Sequence, residues 1–167
     1  MKWNAKQIEV TFDADGGTPA VQSKVQTFGT NYVINSVDQP SKTGYTFAGW
    51  WTDRGSAGDP VTAETPVTNP NDHTIYAHWT PNIITVTLES SVTPKTPFSP
   101  IYEKYGVGFF DNATCEGEPI TKIAVPENDY YDFQLFYTND GRQIIDSTGD
   151  IKVDAKTFTD DVTITAN

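Results

Sequence analysis

Tyr45–Gly55 reads YTFAGWWTDRG, and 86 positions later Tyr131–Gly141 reads YDFQLFYTNDG. Aromatic residues spaced by two, Tyr45, Phe47 and Trp51 in the first stretch and Tyr131, Phe133 and Tyr137 in the second, mark a strand in both places. Three further stretches return in the same order. QIEVTF (Gln7–Phe12) reappears as IITVTL (Ile83–Leu88), 76 positions on, and KVQTFG (Lys24–Gly29) as IYEKYG (Ile101–Gly106), 77 on. TIYAH (Thr74–His78) reappears as TITAN (Thr163–Asn167), 89 on. The order is kept and the offset only grows, so the second half reads as the first with insertions near Val107–Ile123 and around Ile145–Thr157.

A period near 80 residues is too long for a solenoid repeat and long enough for a small independent core. Residues 7–80 therefore read as one repeat domain and 81–167 as a divergent second copy. Trp3 stands five residues before Ile8, as Trp79 stands five before Ile84. Residues 1–6 thus read as the end of a preceding copy, with Met1 an introduced start and the chain a piece of a longer array. Only Thr80, Pro81 and Asn82 separate Trp79 from Ile83, a short link expected to hold the units in an elongated rod.

Within a unit the pattern is β. Gln7–Asp13 alternates Ile8, Val10 and Phe12 with Glu9, Thr11 and Asp13. Asp15-Gly16-Gly17 supplies a turn, and Val21–Phe28 a second strand, predicting a hairpin. Tyr45–Thr52 and Thr74–Trp79 complete the unit, and no amphipathic helix of ten residues is predicted.

These stretches carry a resemblance. VTFDADGGTP, PSKTGYTFAGWWTD and TIYAHWT together resemble the Listeria–Bacteroides repeat, also called the internalin B-repeat, over about Gln7–Thr80. The second unit departs from the motif: DADGG becomes ESSVT and GYTFAGW becomes YYDFQLF. The resemblance implies a mainly β, β-grasp-like domain repeated in large secreted or wall-anchored bacterial surface proteins. Such repeats act as stalk, spacer and adhesion or interaction module. It implies no catalytic residues and no cofactor, and partners among neighbouring repeats, host or cell-surface proteins, or glycans. An accessory region of a secreted enzyme is the weaker alternative.

Composition sets limits of its own. With 22 acidic against 11 basic residues the net charge is −11, which disfavours nucleic acid and anionic membrane surfaces as partners. No run of apolar residues is long enough to span a membrane, and MKWNAKQ has no apolar signal region. One cysteine, Cys115, excludes an internal disulfide, and with no cation beside it in sequence it reads as a small unpaired residue rather than a nucleophile. His73 and His78 lie five apart on one predicted strand and so project to opposite faces, which argues against a metal pair. Asp13-Ala14-Asp15-Gly16 starts like a calcium loop but lacks the later acidic positions, leaving a strand end and a turn. The acidic clusters at Glu116–Glu118, Glu127–Asp132 and Asp160–Asp161 read as solvated loops. Asn112-Ala113-Thr114 fits the glycosylation pattern, which a bacterial source would leave idle.

The adjacent tryptophans pose the sharpest question. Strict alternation sets Tyr45, Phe47, Gly49 and Trp51 on one face, matched by Tyr131, Phe133, Leu135 and Tyr137, and that face is expected to be the core. It leaves Trp50 and its counterpart Phe136 on an otherwise small or polar face. There each either packs as a satellite cluster, in Trp50's case under a loop or against Trp79, or forms an exposed ligand-binding platform for a sugar or a partner protein.

Overall fold

The computed structural model describes residues 2–37, 39–55, 57–92, 98–125, 132–138 and 140–166, with only the backbone of Ser36. Tyr131 and most of the Glu127–Asp132 cluster lie outside the described residues. The chain divides into two compact units, Met1–Thr80 and Pro81–Asn167.

The first unit holds β1 (Gln7–Asp13), β2 (Val21–Thr27), a 3-10 turn (Ile34–Ser36), β3 (Tyr45–Trp51), β4 (Pro60–Val61) and β5 (His73–Pro81). They form one mixed sheet in the order β2-β1-β5-β3-β4. β1 and β2 make the hairpin that the Asp-Gly-Gly turn predicts, and β1 lies parallel to β5, Val10 opposite His73 and Phe12 opposite Ile75. One face buries Ile8, Val10, Phe12, Ile75 and Ala77, the alternating apolar set of β1 and β5. The other carries Glu9, Thr11, Asp13, Thr74 and Tyr76. Such a sheet needs only one apolar face.

The second unit holds β6 (Ile83–Glu89), β7 (Ile101–Lys104), β8 (Gly108–Phe110), β9 (Phe136–Tyr137), β10 (Gln143–Ile145) and β11 (Val162–Thr165). Four strands run β11-β6-β7-β8, β10 pairs with β9, and a Phe136–Ala166 bridge ties β9 to β11. Leaving β8 aside, this is the order of the first unit. The registers agree as well: Ile8 faces Gln26 and Ile84 faces Glu103, while Phe12 faces Ile75 and Leu88 faces Ile164. Single hydrogen bonds recur at the same places. Asp72 accepts the Glu9 N–H at 2.9 Å, and Asp161 accepts the Thr85 N–H at 2.7 Å. Lys6 C=O accepts from Phe28, and Asn82 C=O from Tyr105. β8 falls in the segment read above as an insertion, and among the described residues of the first unit no strand takes its place.

The core face of β3 differs from the alternation expected of it. Trp50 is 5% exposed and belongs to the main core, with its ring edge-on to Phe12 at 5.1 Å and to Phe47 at 5.3 Å. Phe47 and Trp50 are three residues apart and would sit on opposite faces of a regular strand. Gly49 resolves this: its φ of +127° kinks the strand and brings both onto the core side. Trp51 is turned out to the open face, where its ring lies over Gly49. A Cβ at Gly49 would stand 2.9 Å from the Trp51 ring, so the backbone setting and the close approach both require glycine. In the second unit Phe136 is 0% exposed and sits 5.3 Å from Phe133, repeating the Trp50–Phe47 contact.

Candidate functional site

Of the two readings open for Trp50 and Phe136, packing or an exposed platform, the structure gives packing, and in the main cores rather than in satellite clusters. Neither can meet a ligand without unfolding its unit. The aromatic surface of the first unit lies instead where three sequence stretches, residues 13–17, 42–54 and 76–79, fold to one corner.

The corner is built on the turn after β1. Gly17 donates to the Ala14 carbonyl at 3.0 Å, and Asp15 and Gly16 take positive φ values of 45° and 86°. The Trp79 indole N–H donates to the same Ala14 carbonyl at 2.9 Å. Its ring lies so close that a Cβ at Gly17 would come within 2.6 Å of it. The second glycine of the turn is thus the space the closing tryptophan needs. Lys42 donates to the Asp15 carbonyl at 2.9 Å, with its ammonium 4.9 Å from the Tyr45 ring and 5.6 Å from Trp79. These cation–π contacts hold the lysine flat against the turn.

On the open face, Arg54 pairs with Asp13 at 2.5 Å and lies 3.9 Å from Asp15, its guanidinium 5.1 Å over the Tyr76 ring. The Asp13 hydrogen bond and charge push the Arg54 pKa up. Trp51 stacks on His78 with centroids 4.3 Å apart and planes 5° from parallel. His78 Nε2 lies 2.8 Å from the Asp53 carbonyl, and since a carbonyl only accepts, that nitrogen carries the proton. Asp15, Lys42, Tyr45, Arg54, His78 and Trp79 line an open cleft of about 360 Å³.

This arrangement suits non-covalent recognition. His73 faces away from the cleft, bonded through Nε2 to the Tyr32 hydroxyl at 2.6 Å and through Nδ1 to the Asn71 carbonyl at 2.8 Å. Among the described residues no group of three or more His, Cys, Asp or Glu is placed to hold a metal. Cys115 is buried, and burial pushes its thiol pKa up, away from the reactive thiolate. Asn112 organises its own loop, accepting from Thr114 at 2.9 Å and from the Glu116 N–H at 3.1 Å.

All of this corner except Trp79 lies within the span of a family match. Residues 9–78 match the Listeria-Bacteroides repeat domain. The repeat's turn, its aromatic strand and its closing strand are thus the pieces that lock together around Ala14, Gly17 and Trp79. A wider similarity extends over both units. The chain is 27% identical, over 144 residues and 83% of its length, to a protein of Evansella cellulosilytica described as a Gly-rich membrane protein. It spans 15% of that protein's length. The alternation rule missed Trp51 as the outward tryptophan, and the glycine two residues before it was the available signal.

A second buried group also escaped sequence reading. Glu103 on β7 is 0% exposed, and its two oxygens accept the Thr157 N–H at 3.0 Å and the Phe158 N–H at 3.1 Å. Burial pushes its pKa up to about 7, against the pull of those two donors. Gln26, at the matching register position of the first unit, is equally buried and accepts the Val33 N–H at 2.9 Å.

Proposed function

We propose that this chain is a load-bearing spacer: two tandem β-grasp-like repeats, the second a divergent copy with an insertion, from a bacterial envelope-surface protein. It acts as stalk and interaction module rather than as an enzyme. The observation that carries this reading is the parallel pairing of the first and last strands of each unit, β1 with β5 and β6 with β11. Tension enters a unit at the N-terminal end of its first strand and leaves at the C-terminal end of its last. Parallel neighbours pulled this way are sheared, so their ladder bonds are strained together rather than opened one by one. Along the chain a single residue, Asn82, separates β5 from β6, so little slack intervenes.

The repeat match, the recurrence of strand order and register, and the membrane-protein description of a much longer relative support an envelope location and a tandem architecture. Stretching single chains by their ends tests the mechanical role. Two separate unfolding events are expected, each releasing roughly 250 Å of chain at about 3.6 Å per extended residue. One smooth, low-force extension would contradict it.

A second reading is favoured by the Trp51–His78 stack beside the cleft, which offers a flat ring and two cations to a glycan or host protein. Titration of surface glycans against tryptophan fluorescence tests it. Signal changes that vanish in Trp51→Ala would support it, and no change with any glycan or host protein would leave the spacer role alone.

A further inference from the structure

The two units differ in how they treat the outer edge of their second strand. In the hairpin β1–β2, Phe28 donates to Lys6 and Ala14 donates to Ala20, one bond at each end. The antiparallel ladder therefore turns the backbone groups of Gln22, Lys24 and Gln26 towards β1 and those of Val21, Ser23 and Val25 towards the open edge. β2 is the first strand of its sheet, and no described strand pairs with that outer side. In the second unit the same edge is covered. β8, from the insertion, pairs with β7, setting Phe110 opposite Tyr102 and Gly108 opposite Lys104. The outer side of β8 is in turn closed by the Phe109–Ile120 bridge.

The side chains of β2 are also arranged unlike those of a protected strand. Val21 and Val25 are 58% and 67% exposed on the open face of the sheet, while Lys24 and Gln26 turn inward. An edge of seven residues with apolar side chains facing outward is a template for another strand.

We propose that the β2 edge of the first unit pairs with the β2 edge of a second copy, antiparallel, about a two-fold axis through Ser23. The sequence Val21-Gln22-Ser23-Lys24-Val25 is self-complementary in that register. Val21 faces the partner copy's Val25, Ser23 faces its own counterpart, and Lys24 faces Gln22. The register one residue along would set lysine directly against lysine, which costs stability. The register two along would need the Thr27 carbonyl, which already accepts the Thr30 N–H at 3.1 Å and the Thr30 hydroxyl at 2.8 Å. A shift the other way sets Val25 against Pro19, which has no N–H to donate. Charge and hydrogen bonding thus leave the pairing centred on Ser23. It joins two five-stranded sheets into one, and the second unit, its edge covered by β8, takes no part.

Sedimentation of the whole chain over a range of concentrations tests this. The mass is expected to rise from 18.4 kDa towards twice that value as concentration increases. Val25→Pro removes an N–H that faces the edge and not β1, so it keeps the hairpin and holds the mass at 18.4 kDa. A charge swap guards against misfolding of that variant. Gln22→Lys sets lysine against Lys24 twice in each dimer and weakens association at least tenfold. Adding Lys24→Glu restores it, because each introduced lysine then faces the introduced glutamate of the other copy. A chain that stays monomeric at millimolar concentration overturns the proposal. So does a dimer that neither Val25→Pro nor Gln22→Lys weakens, or one bridged through the second unit or by another protein instead.

Discussion

Replacing Glu103 by glutamine should remove a pH dependence of stability that belongs to the second unit alone. Glu103 has a folded-state pKa of about 7 against 4.5 for the ordinary carboxyl. A pKa raised by folding stabilises the protonated form. The contribution is therefore full below pH 4.5 and is lost as the pH rises through about 7. At about 1.4 kcal/mol per pH unit the loss is about 3 kcal/mol in all, of which about 2.5 kcal/mol falls between pH 5 and 8. The carboxyls that hydrogen bonding holds low, Asp140 and Asp146, titrate below this window and do not confuse it. Urea unfolding at the two pH values provides the assay. All four tryptophans lie in the first unit, so their fluorescence follows that unit, and far-ultraviolet circular dichroism adds the second. In the native chain the second transition should move down by roughly 1–2 M urea between pH 5 and 8. Glu103→Gln should flatten that shift, since glutamine still accepts one N–H, as Gln26 does in the first unit. An unchanged pH slope in Glu103→Gln, or a native chain that gains stability with rising pH, would refute the reasoning.

Other expectations follow from the corner and the core. Gly17→Ala drives a Cβ into the Trp79 ring and should lower the stability of the first unit by about 1–3 kcal/mol, read as an earlier fluorescence transition with the second unit unmoved. Trp79→Phe removes the indole bond to the Ala14 carbonyl and should cost about 1 kcal/mol in the same assay. Trp50→Ala empties a core site and should cost about 3–5 kcal/mol. Trp51→Ala, on the open face, should cost under half of that, and a larger loss for Trp51 than for Trp50 would reverse the assignment of the two rings. Acrylamide should quench Trp3, which is 87% exposed, and leave Trp50 nearly untouched.

Much of the fold was legible because strands advertise their buried face every second residue. Ile8, Val10 and Phe12 predicted both β1 and its orientation, and the offsets between repeated stretches match the strand registers of the two units. Alternation failed where a single glycine bent the strand. Gly49 is free to take a φ closed to other residues, so Phe47 and Trp50 share a face that a period of two denies them. The buried Gln26 and Glu103 were equally hidden, because a polar residue in a strand reads as outward until the backbone donors that meet its oxygens are placed, Val33 for Gln26 and the far-off Thr157 and Phe158 for Glu103. The corner around Trp79 was half visible. Its turn and its tryptophan could each be read, but their contact spans Ala14 to Trp79, and only the parallel closure of β5 on β1 brings them together.

The load-bearing claim is tested most directly by changing the direction of pull. In a Cys115→Ala background, one chain is held by its two ends and another by cysteines placed at Gln7 and Thr27, the open end of the β1–β2 hairpin. The first geometry shears β1 against β5, and the second unzips β1 from β2 bond by bond. A severalfold higher unfolding force is expected for the first unit when it is pulled by its ends. Equal forces in the two directions would contradict it.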